Sequence, residues 1–423
     1  MASLAGWGRG FGWGLYARHR LDVSGGDIWY GVRSIWGAWR RDRLESGVLV
    51  ACCMRDEGLV CYSVRSGWDL WLAAQGWRAG DEVMVSAVTH PDMARIIRGH
   101  GLRPIPVDID PETLAPRRRA LEAALTARTR VVLVAHLFGG RVDLRPVVRF
   151  ARRHGLLVAE DCAQAFQGPG LMGDTVAELS MYSFGTLKTS TAFGGAVLRV
   201  RDRRVLARMR EIQDAYPVQR RALYAKKLFG AFWLVAVSRP LPYGLLARAC
   251  AWLGYDLDAL VNGAVRAFPA REPEEAFFRR LRQRPCAPLL AMLSRRFRSF
   301  DREKLARRAS AGERLARRLW VAGAHPGGRA LSRTHWLFPV VVHDPEAVVL
   351  GLRTYGLDAS RATSSIVVVR GPDERSYPAE AHRMMSGVVF LPVSPDLPPQ
   401  AFDVMADLVN DSRADRTAER VAL

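Results

Sequence analysis

Residues 130–162 read RVVLVAHLFGGRVDLRPVVRFARRHGLLVAEDC, and this stretch contains the pattern that decides the fold. Two apolar runs, at 130–139 and 156–162, flank a segment at 144–155 whose apolar residues recur at helical spacing and end at a glycine. Continuous rather than alternating hydrophobicity is typical of strands that are covered on both faces. The stretch therefore predicts a strand, a helix and a parallel second strand, joined by a right-handed crossover.

The same alternation continues on both sides of this unit. Further strands are predicted at 81–88, 103–110, 180–185 and 194–200, and further helices at 65–76, 90–101 and 116–125. Repeated strand–helix units favour an α/β fold with an open, mostly parallel sheet. Ligands of such sheets bind at the carboxyl ends of the strands, which places His136, Asp161 and the loop 183–188 near one edge.

The length of 423 residues suits one large domain and one smaller domain. We predict an N-terminal arm at 1–45, a large α/β domain at 46–270 and a small C-terminal α+β domain at 271–423. A long helical pattern at 301–320, followed by shorter strand and helix patterns, indicates the α+β character of the small domain. The large domain contains an apolar helical insertion at 223–255.

The composition is that of a globular protein with a strong positive charge. The formal net charge is +20, which favours anionic partners, although a general enrichment in arginine explains it equally well. No helix-turn-helix or zinc-finger pattern supports nucleic-acid binding. The six cysteines form no CxxC pair and no cluster with histidine, so neither a metal site nor a disulfide framework is expected.

The N-terminal residues do not read as a targeting segment. Glycines and arginines interrupt every apolar run in MASLAGWGRGFGWGLYARHRL, so no signal peptide is expected. No stretch of the chain has the roughly 18 consecutive apolar residues of a membrane-spanning helix. We therefore expect a cytoplasmic protein.

One lysine lies in a stretch of hydroxyl and glycine residues, SFGTLKTSTAFGG, at 183–195. An amine in a partly desolvated pocket has a lowered pKa and can attack an aldehyde, so Lys188 is a candidate Schiff-base lysine. Asp161 follows an apolar strand, where a carboxylate is costly unless a cation, such as a protonated pyridine nitrogen, meets it. A solvated lysine and a helix-capping aspartate are the alternatives when each residue is considered alone. Together, the two predict bound pyridoxal 5'-phosphate.

The phosphate of this cofactor needs a third group of residues. The stretch RSGWDLWLAAQG at 65–76 predicts a helix whose first turn would offer the backbone N–H groups of Ser66, Gly67 and Trp68 to an anion. The hydroxyl of Ser183 is a further candidate. A plain helix cap at Ser66 is the alternative.

Residues 60–200 resemble the DegT/DnrJ/EryC1/StrS family of aminotransferases, which are fold-type-I enzymes that depend on pyridoxal phosphate. The resemblance is carried by SGWDLWLAAQGWRAGDEVMVSAVTH (66–90), PVDIDPETL (106–114), HLFG (136–139), EDCAQAF (160–166) and SFGTLKTSTAFGG (183–195). It implies that Lys188 holds the cofactor as a Schiff base and acts as the catalytic base, while Asp161 pairs with the pyridinium nitrogen. It also implies that Gln164 lies near the ring oxygen, and that Ser66, Gly67, Trp68 and Ser183 bind the phosphate.

The sequence departs from the family pattern at two positions. Trp68 stands where a small threonine is usual, so the phosphate pocket must be shaped differently. His90 stands where an aromatic ring usually stacks on the cofactor. An imidazole can stack as well, and a helix-start residue before Pro91 is the alternative. His136 is expected to be structural.

Members of the family are homodimers that build each site from both chains, so a homodimer with shared sites is expected. The contribution of the partner chain would come from RLRQRPCAPLL at 280–290. There, Arg282 or Arg284 would reach the neighbouring phosphate, and a solvated basic face is the alternative.

The resemblance implies transfer of an amino group from glutamate or another amino acid to a carbonyl acceptor. The commonest acceptors of the family are keto-sugar nucleotides. Two other classes remain open: another fold-type-I enzyme, such as a lyase or a C–N bond-forming enzyme, and a regulatory protein that only binds the cofactor.

The insertion at 223–255 is unusually apolar and aromatic, and it carries Lys226, Lys227 and Arg248. The first 40 residues add five tryptophans among arginines. Apolar faces with tryptophan and flanking cations suit a peripheral membrane contact, here at the inner face of the membrane. A dimer interface or a helical core is the alternative. In the membrane case, the carbonyl acceptor would be lipid-like or lipid-linked.

Overall fold

The computed structural model describes residues 14–18, 21–37, 39–255, 257, 260, 272–361, 366–371 and 376–421. Its strands are β1 (Gly58–Cys61), β2 (Glu82–Ser86), β3 (Val88–Thr89), β4 (Arg103–Val107), β5 (Thr129–Ala135), β6 (Gly140–Arg141), β7 (Leu157–Asp161), β8 (Leu179–Ser183), β9 (Ala196–Val200), β10 (Ser332–Arg333), β11 (Phe338–Val341), β12 (Val367–Val368) and β13 (Val388–Leu391).

The described helices of the first 255 residues are α1 (Gly25–Trp36), α2 (Arg41–Ala51), α3 (Val64–Gln75), α4 (Pro91–Gly99), α5 (Arg118–Ala124), α6 (Arg145–Arg153), α7 (Arg203–Asp214), α8 (Arg221–Val237) and α9 (Pro240–Leu253). Those that follow are α10 (Glu274–Leu281), α11 (Ala287–Arg298), α12 (Arg302–Ala316), α13 (Pro345–Thr354), α14 (Ala379–Ser386) and α15 (Pro399–Val421).

A seven-stranded sheet with the order β1-β9-β8-β7-β5-β2-β4 forms the centre of the molecule. Within this sheet, β8, β7, β5, β2 and β4 run parallel to one another. β9 runs antiparallel to both β8 and β1, so it alone is reversed in this sheet. The predicted α/β fold with a mostly parallel sheet is confirmed.

Alternate residues of the central strands enter two different hydrophobic clusters. Val83 and Val85 of β2 pack with residues of α3 and α4 on one face of the sheet. Met84 packs with residues of α5 and α6 on the other face. Because helices cover both faces, every residue of β2 is buried, which is why the sequence shows continuous apolar runs.

The quoted stretch 130–162 folds as its pattern predicts. β5, α6 and β7 follow one another, and the register of the two strands pairs Ala135 with Asp161. α6 buries Val147, Val148, Phe150 and Ala151 toward the sheet and exposes arginines on its other side. The carboxyl ends of β5 and β7 therefore lie side by side.

The C-terminal part of the chain forms its own hydrophobic cluster. β11 and β13 form an antiparallel pair in which Phe338 lies opposite Leu391. Leu352 of α13 and Phe402 of α15 are buried against this pair. The strands and helices expected there are present, whereas the domain boundaries stay predictions.

The N-terminal helix α1 packs against α8 and α11. The carboxylate of Asp27 in α1 forms ion pairs with Arg295 at 2.8 Å and Arg296 at 2.6 Å, both on α11. A methyl group on Gly31 of α1 would lie 2.9 Å from Leu228 of α8, so these two helices are in close contact. Residues 1–13, 19, 20 and 38 of the predicted arm lie outside the described residues.

Among the described helices, none combines the length and the apolar character that crossing a bilayer requires.

A close backbone crossing brings the segment 334–337 onto the loop that follows β5. The N–H of Thr334 donates to the carbonyl of Gly139 at 2.9 Å, and the N–H of Leu337 donates to the carbonyl of Phe138 at 3.1 Å. Gly139 has a φ of +93°, and a Cβ atom there would lie 2.5 Å from the backbone nitrogen of Trp336. Both the backbone conformation and the space therefore require glycine.

We predict that Gly139→Ala lowers the free energy of unfolding by about 2–3 kcal/mol, because a strained φ and a steric clash add. Gly155→Ala is the matched control, since Gly155 has a φ of +63° but no atom within 4 Å of the place that a methyl group would take. The control should lose only about 1 kcal/mol. Urea unfolding followed by circular dichroism measures both, and equal losses would contradict the close crossing.

Candidate active site

The predicted site residues lie along the edge of the sheet where the parallel strands end. Asp161 is the last residue of β7, and Ser183 is the last residue of β8. α3 follows β1 at this edge, and α4 follows β3 with His90 as its N-cap. The N–H of His136, directly after β5, donates to the carbonyl of Asp161 at 3.0 Å. The topology therefore gathers groups that are more than 100 residues apart in sequence.

Asp161 has a carboxylate that is buried without a strong cationic partner. Its Oδ1 accepts a hydrogen bond from the N–H of Ala163 at 2.9 Å. Burial raises the pKa of Asp161, although the Ala163 amide and the charges of Lys188 and His136 act in the opposite direction. In the described part of the chain, no lysine or arginine forms an ion pair with this carboxylate. A cationic group bound beside it would supply the missing charge.

Lys188 lies in the loop after β8, close enough to Asp161 for each charge to shift the other's pKa. Its backbone N–H donates to the carbonyl of Gly185 at 3.0 Å, and its Nζ lies 4.2 Å from the ring centre of Trp336. Burial lowers the pKa of Lys188 to about 8; the Asp161 carboxylate raises it, and the nearby Arg65 guanidinium lowers it further. A sizeable share of the amine is therefore neutral near pH 8 and can act as a nucleophile.

Ser183 lies beside this lysine. A methyl group on Gly185 would be 3.8 Å from Ser183 Oγ and 3.9 Å from Lys188 Cγ, so the two side chains border the same small space. Ser183 is partly buried. Its predicted contact with a phosphate stays a prediction.

A second carboxylate, Glu160, is fully buried next to Asp161 and is held by a hydrogen-bond network. It accepts hydrogen bonds from His136 Nε2 at 2.8 Å, from Arg141 at 3.3 Å and from Ser180 Oγ at 2.6 Å. His136 Nδ1 accepts the N–H of Val142 at 2.9 Å, so Nε2 carries the proton that is donated to Glu160. Burial opposes ionisation, but His136, Arg141 and Ser180 together lower the pKa of Glu160 to about 2. His136 has the structural role that was expected for it.

Gln164 is fixed by the loop after β5. Its Oε1 accepts the N–H of Phe138 at 2.8 Å, and Phe138 has a φ of +60°. This hydrogen bond ties the segment after β7 to the backbone crossing at Gly139. The predicted contact of Gln164 with a ring oxygen stays a prediction, and its amide nitrogen is the group left for such a contact.

α3 begins one residue earlier than the helix that the sequence predicts at 65–76. Its first residue is Val64, and Ser63 is its N-cap. The N–H of Ser66 donates to Ser63 Oγ at 3.1 Å, and the N–H of Gly67 donates to the carbonyl of Ser63 at 3.0 Å. The N–H groups of Ser66 and Gly67 therefore already donate hydrogen bonds within the helix. Val64 and Arg65 carry the first two N–H groups of α3, and an α-helix has no acceptor of its own for N–H groups in these positions.

The side chains of the same segment point to the protein interior. Trp68 has no exposed surface and stacks on Trp71 with ring centres 5.4 Å apart. Ser66 Oγ donates to the carbonyl of Leu281 at 2.8 Å. Trp68 is thus a core residue, and its large ring packs in the protein interior.

Arg65 is a functional candidate that the sequence prediction missed. It lies in the first turn of α3, and its charge acts on the pKa of Lys188. Its guanidinium forms an ion pair with Asp92 at 2.7 Å, and the N–H of Asp92 donates to His90 Nδ1 at 3.2 Å. His90 is the N-cap of α4, and its side chain keeps 40% of its surface exposed, so stacking on a ligand stays a prediction.

Two further residues reach the site from the C-terminal part of the chain. Trp336 donates its Nε1–H to the carbonyl of Leu187 at 2.9 Å, in addition to its ring contact with Lys188. Arg308 donates to Thr189 Oγ1 at 3.1 Å and to the carbonyl of Thr334 at 3.0 Å. Sequence reasoning had no signal for either residue, because both lie more than 100 positions beyond Lys188.

Arg282 and Arg284 are engaged within their own chain. Arg282 forms two hydrogen bonds, of 3.0 and 3.1 Å, with the buried carboxylate of Asp69. Arg284 pairs with Asp214 at 3.1 Å and donates to the carbonyl of Tyr216 at 3.1 Å. Their predicted contact with the phosphate of a partner subunit stays a prediction.

The residues at this edge fit pyridoxal 5'-phosphate in three respects. The amine of Lys188 suits its aldehyde, and the buried carboxylate of Asp161 suits a protonated ring nitrogen. The first turn of α3, with the guanidinium of Arg65, suits a phosphate. The sheet order, with the reversed strand β9, is that of the fold-type-I proteins.

Comparison with known proteins finds similarity to one family of aminotransferases. Residues 45–231, which are less than half of the chain, match the model of the DegT/DnrJ/EryC1/StrS aminotransferase family. The matched segment contains β1 to β9, and with them Asp161, Gln164, Ser183 and Lys188. The predicted resemblance is confirmed.

Two curated relatives are named for amino sugars or amino cyclitols. The chain is 32% identical over 160 residues to the GDP-perosamine synthase of Caulobacter vibrioides, which covers 37% of this chain and 43% of that protein. It is 34% identical over 150 residues to the L-glutamine:2-deoxy-scyllo-inosose aminotransferase of Streptomyces fradiae, which covers 35% of each. The chain thus matches less than half the length of these relatives.

Solved structures share the fold over nearly the whole chain. The crystal structure of NtdA from Bacillus subtilis, with bound cofactor PMP, superposes with a TM-score of 0.63 at 16% identity. The superposition covers 92% of this chain and 82% of NtdA. The fold therefore extends beyond the segment that sequence comparison matches.

We predict that Glu160→Gln destabilises the protein by on the order of 3 kcal/mol at neutral pH, because His136 and Arg141 lose a buried anionic partner. The pKa of Glu160 lies at about 2 in the fold, below the ordinary value of 4.5. Its contribution to stability is therefore complete above pH 4.5 and is lost as the pH falls toward 2.

Urea unfolding at several pH values measures this contribution. The wild-type protein should lose stability more steeply with acid than the Glu160→Gln variant over that interval. Glu122→Gln, at an exposed position of α5, is the matched control and should leave the stability within about 0.5 kcal/mol of wild type. Parallel pH profiles for wild type and Glu160→Gln would contradict the network.

Proposed function

We propose that this protein is an aminotransferase that uses pyridoxal 5'-phosphate to move an amino group from an amino acid to a carbonyl acceptor. The observation that carries the proposal is the pairing of Lys188, with its lowered pKa, and the buried Asp161 at one edge of a fold-type-I sheet. When bound, the cofactor supplies an aldehyde for the amino group and an electron-withdrawing ring.

Each residue of the site has a distinct task in this proposal. Lys188 Nζ would hold the aldehyde carbon of the cofactor and, once released, take up and return a proton at the reacting carbon. Asp161 would keep the ring nitrogen protonated, because a cation beside this buried carboxylate removes the cost of its charge. The ring of Trp336, 4.2 Å from Nζ, would limit the positions that the amine can take.

The phosphate would bind at the start of α3. The first-turn amides of Val64 and Arg65 and the Arg65 guanidinium would meet it, and Ser183 Oγ would be added from β8. This arrangement replaces the predicted amides of Ser66 and Gly67, which the helix already uses. The pair of Arg65 with Asp92 would orient the guanidinium toward the phosphate.

The acceptor is proposed to be a keto-sugar, carried on a nucleotide or on another anionic group. The names of two relatives, a GDP-perosamine synthase and an L-glutamine:2-deoxy-scyllo-inosose aminotransferase, support this class of acceptor and L-glutamine as a donor beside L-glutamate. The net charge of +20 suits an anionic substrate. We propose a homodimer in the cytoplasm, as in the family, with each site completed by the partner subunit.

The reaction is tested with the purified protein, pyridoxal 5'-phosphate, and L-glutamine or L-glutamate. Wild type is expected to release the matching 2-oxo acid, detected by mass spectrometry, and to aminate a keto-sugar nucleotide. Lys188→Ala should release none, and Asp161→Ala should bind the cofactor but react roughly 100-fold more slowly. Free ammonia without an aminated acceptor would indicate a lyase, and cofactor binding without any oxo acid would indicate a regulatory protein. Either result would contradict the proposal.

The phosphate site is tested by comparing pyridoxal 5'-phosphate with pyridoxal, which lacks the phosphate. Arg65→Gln should weaken binding of the phosphorylated form by about tenfold relative to pyridoxal, because a charge-assisted contact to the phosphate is lost. Arg118→Gln, at an exposed position of α5, removes one positive charge elsewhere and should leave the ratio unchanged. Equal weakening of both ligands would mean that Arg65 acts only through the pKa of Lys188. Equilibrium dialysis measures the affinity of wild type and of both variants for each of the two ligands.

A further inference from the structure

Three neighbouring helices on one side of the molecule expose large apolar side chains. α1 packs against α8, and α8 packs against α9. We call their exposed apolar residues the aromatic face: Trp29 and Trp36 of α1, Phe229, Phe232 and Trp233 of α8, and Leu241, Leu245, Trp252 and Leu253 of α9. Each of these side chains keeps more than half of its surface exposed, and Trp252 reaches 78%. A group of this size is unusual on a protein surface that contacts only water.

α8 is apolar on both of its sides. Tyr224, Leu228 and Ala231 are buried against the large domain, at spacings of four and three residues that mark one face of the helix. Phe229, Phe232 and Trp233 belong to the opposite side. A helix at a water-exposed surface usually carries polar side chains on its outward part, so these large apolar side chains are unusual there.

The charged residues that the sequence places on α8 and α9 are all positive. Between residues 221 and 255 the sequence has five cations, namely Arg221, Lys226, Lys227, Arg239 and Arg248, and no aspartate or glutamate. Lys226 and Arg239 are exposed, and Arg33 of α1 is exposed between Trp29 and Trp36. An apolar face with tryptophan and a rim of cations has the composition that binds the headgroup region of an anionic bilayer.

We propose that the aromatic face binds the surface of a membrane that contains anionic lipid. The helices would lie in the plane of the headgroups with their exposed apolar side chains inserted, because none of the described helices is long and apolar enough to cross the bilayer. A dimer formed through this same face is disfavoured. A twofold axis would bring the cations of the two copies together, and residues 221–255 contain no aspartate or glutamate to offset them.

This inference does not depend on the proposed reaction. If both hold, the active site works at a lipid surface, and membrane-associated acceptors come within its reach. The membrane test measures binding alone, so its outcome can be told apart from that of the amino-transfer experiment.

The experiment is flotation of the full chain with vesicles of phosphatidylcholine alone or mixed with phosphatidylglycerol. We expect binding to the mixed vesicles at low salt, much weaker binding at high salt, and little binding to phosphatidylcholine alone. The double variant Phe232→Ser and Trp233→Ser should reduce binding roughly tenfold or more. Trp320→Ser is the matched control, since Trp320 is 70% exposed but lies outside the three helices, and it should bind like wild type.

A second pair of variants tests the positive charges, at positions that are exposed to solvent. Lys226→Glu with Arg239→Glu should abolish the preference for phosphatidylglycerol, whereas Arg149→Glu with Arg152→Glu on α6, an equal change of charge, should keep it. Equal effects of both pairs would overturn the proposal. So would wild type that binds neither vesicle, or a dimer that becomes a monomer, by light scattering, when Phe232 and Trp233 are replaced.

Discussion

Two groups of opposite charge, the carboxylate of Asp161 and the amine of Lys188, are held at one edge of the sheet in surroundings that disfavour both charges. Burial raises the pKa of Asp161 and lowers that of Lys188 to about 8, while the attraction between them opposes both shifts. A ligand with a cationic ring nitrogen and an aldehyde satisfies both groups at once. The chemistry of the site therefore follows from where the fold places two ordinary side chains.

The rest of the structure keeps that placement fixed. Glu160, one residue before Asp161, is anchored by His136, Arg141 and Ser180, so the end of β7 is tied to the neighbouring strands β5 and β8. The backbone crossing at Gly139 brings the segment that carries Trp336 against the lysine. Both supports are buried, and a polar network that is fully hydrogen-bonded in low dielectric is rigid. Such rigidity suits a site in which one amine must reach a reacting carbon.

The same molecule carries an apolar surface that the site does not use. Residues 221–255 lie outside the strands and helices that form the edge of the sheet, and they add α8 beside α1 and α9 beside α8. The buried side of α8 joins one hydrophobic cluster, and the buried side of α9 joins a second cluster with Leu15. Their exposed sides add tryptophan, phenylalanine and leucine without any acidic residue. The insertion thus contributes both to stability and to a surface of defined chemistry.

The strand–helix units and the parallel sheet could be predicted from the sequence, because the hydrophobic period is a local property. The carboxyl ends of parallel strands share one edge of the sheet, so Asp161 and Lys188 could be expected near each other. The N-cap of α3 could not be chosen from the sequence, since Ser63 and Ser66 are both good caps; the structure places the cap at Ser63. Arg65, Arg308 and Trp336 could not be found for a different reason. Each depends on contacts between segments far apart in the chain, and no local pattern encodes which distant loop will lie against Lys188.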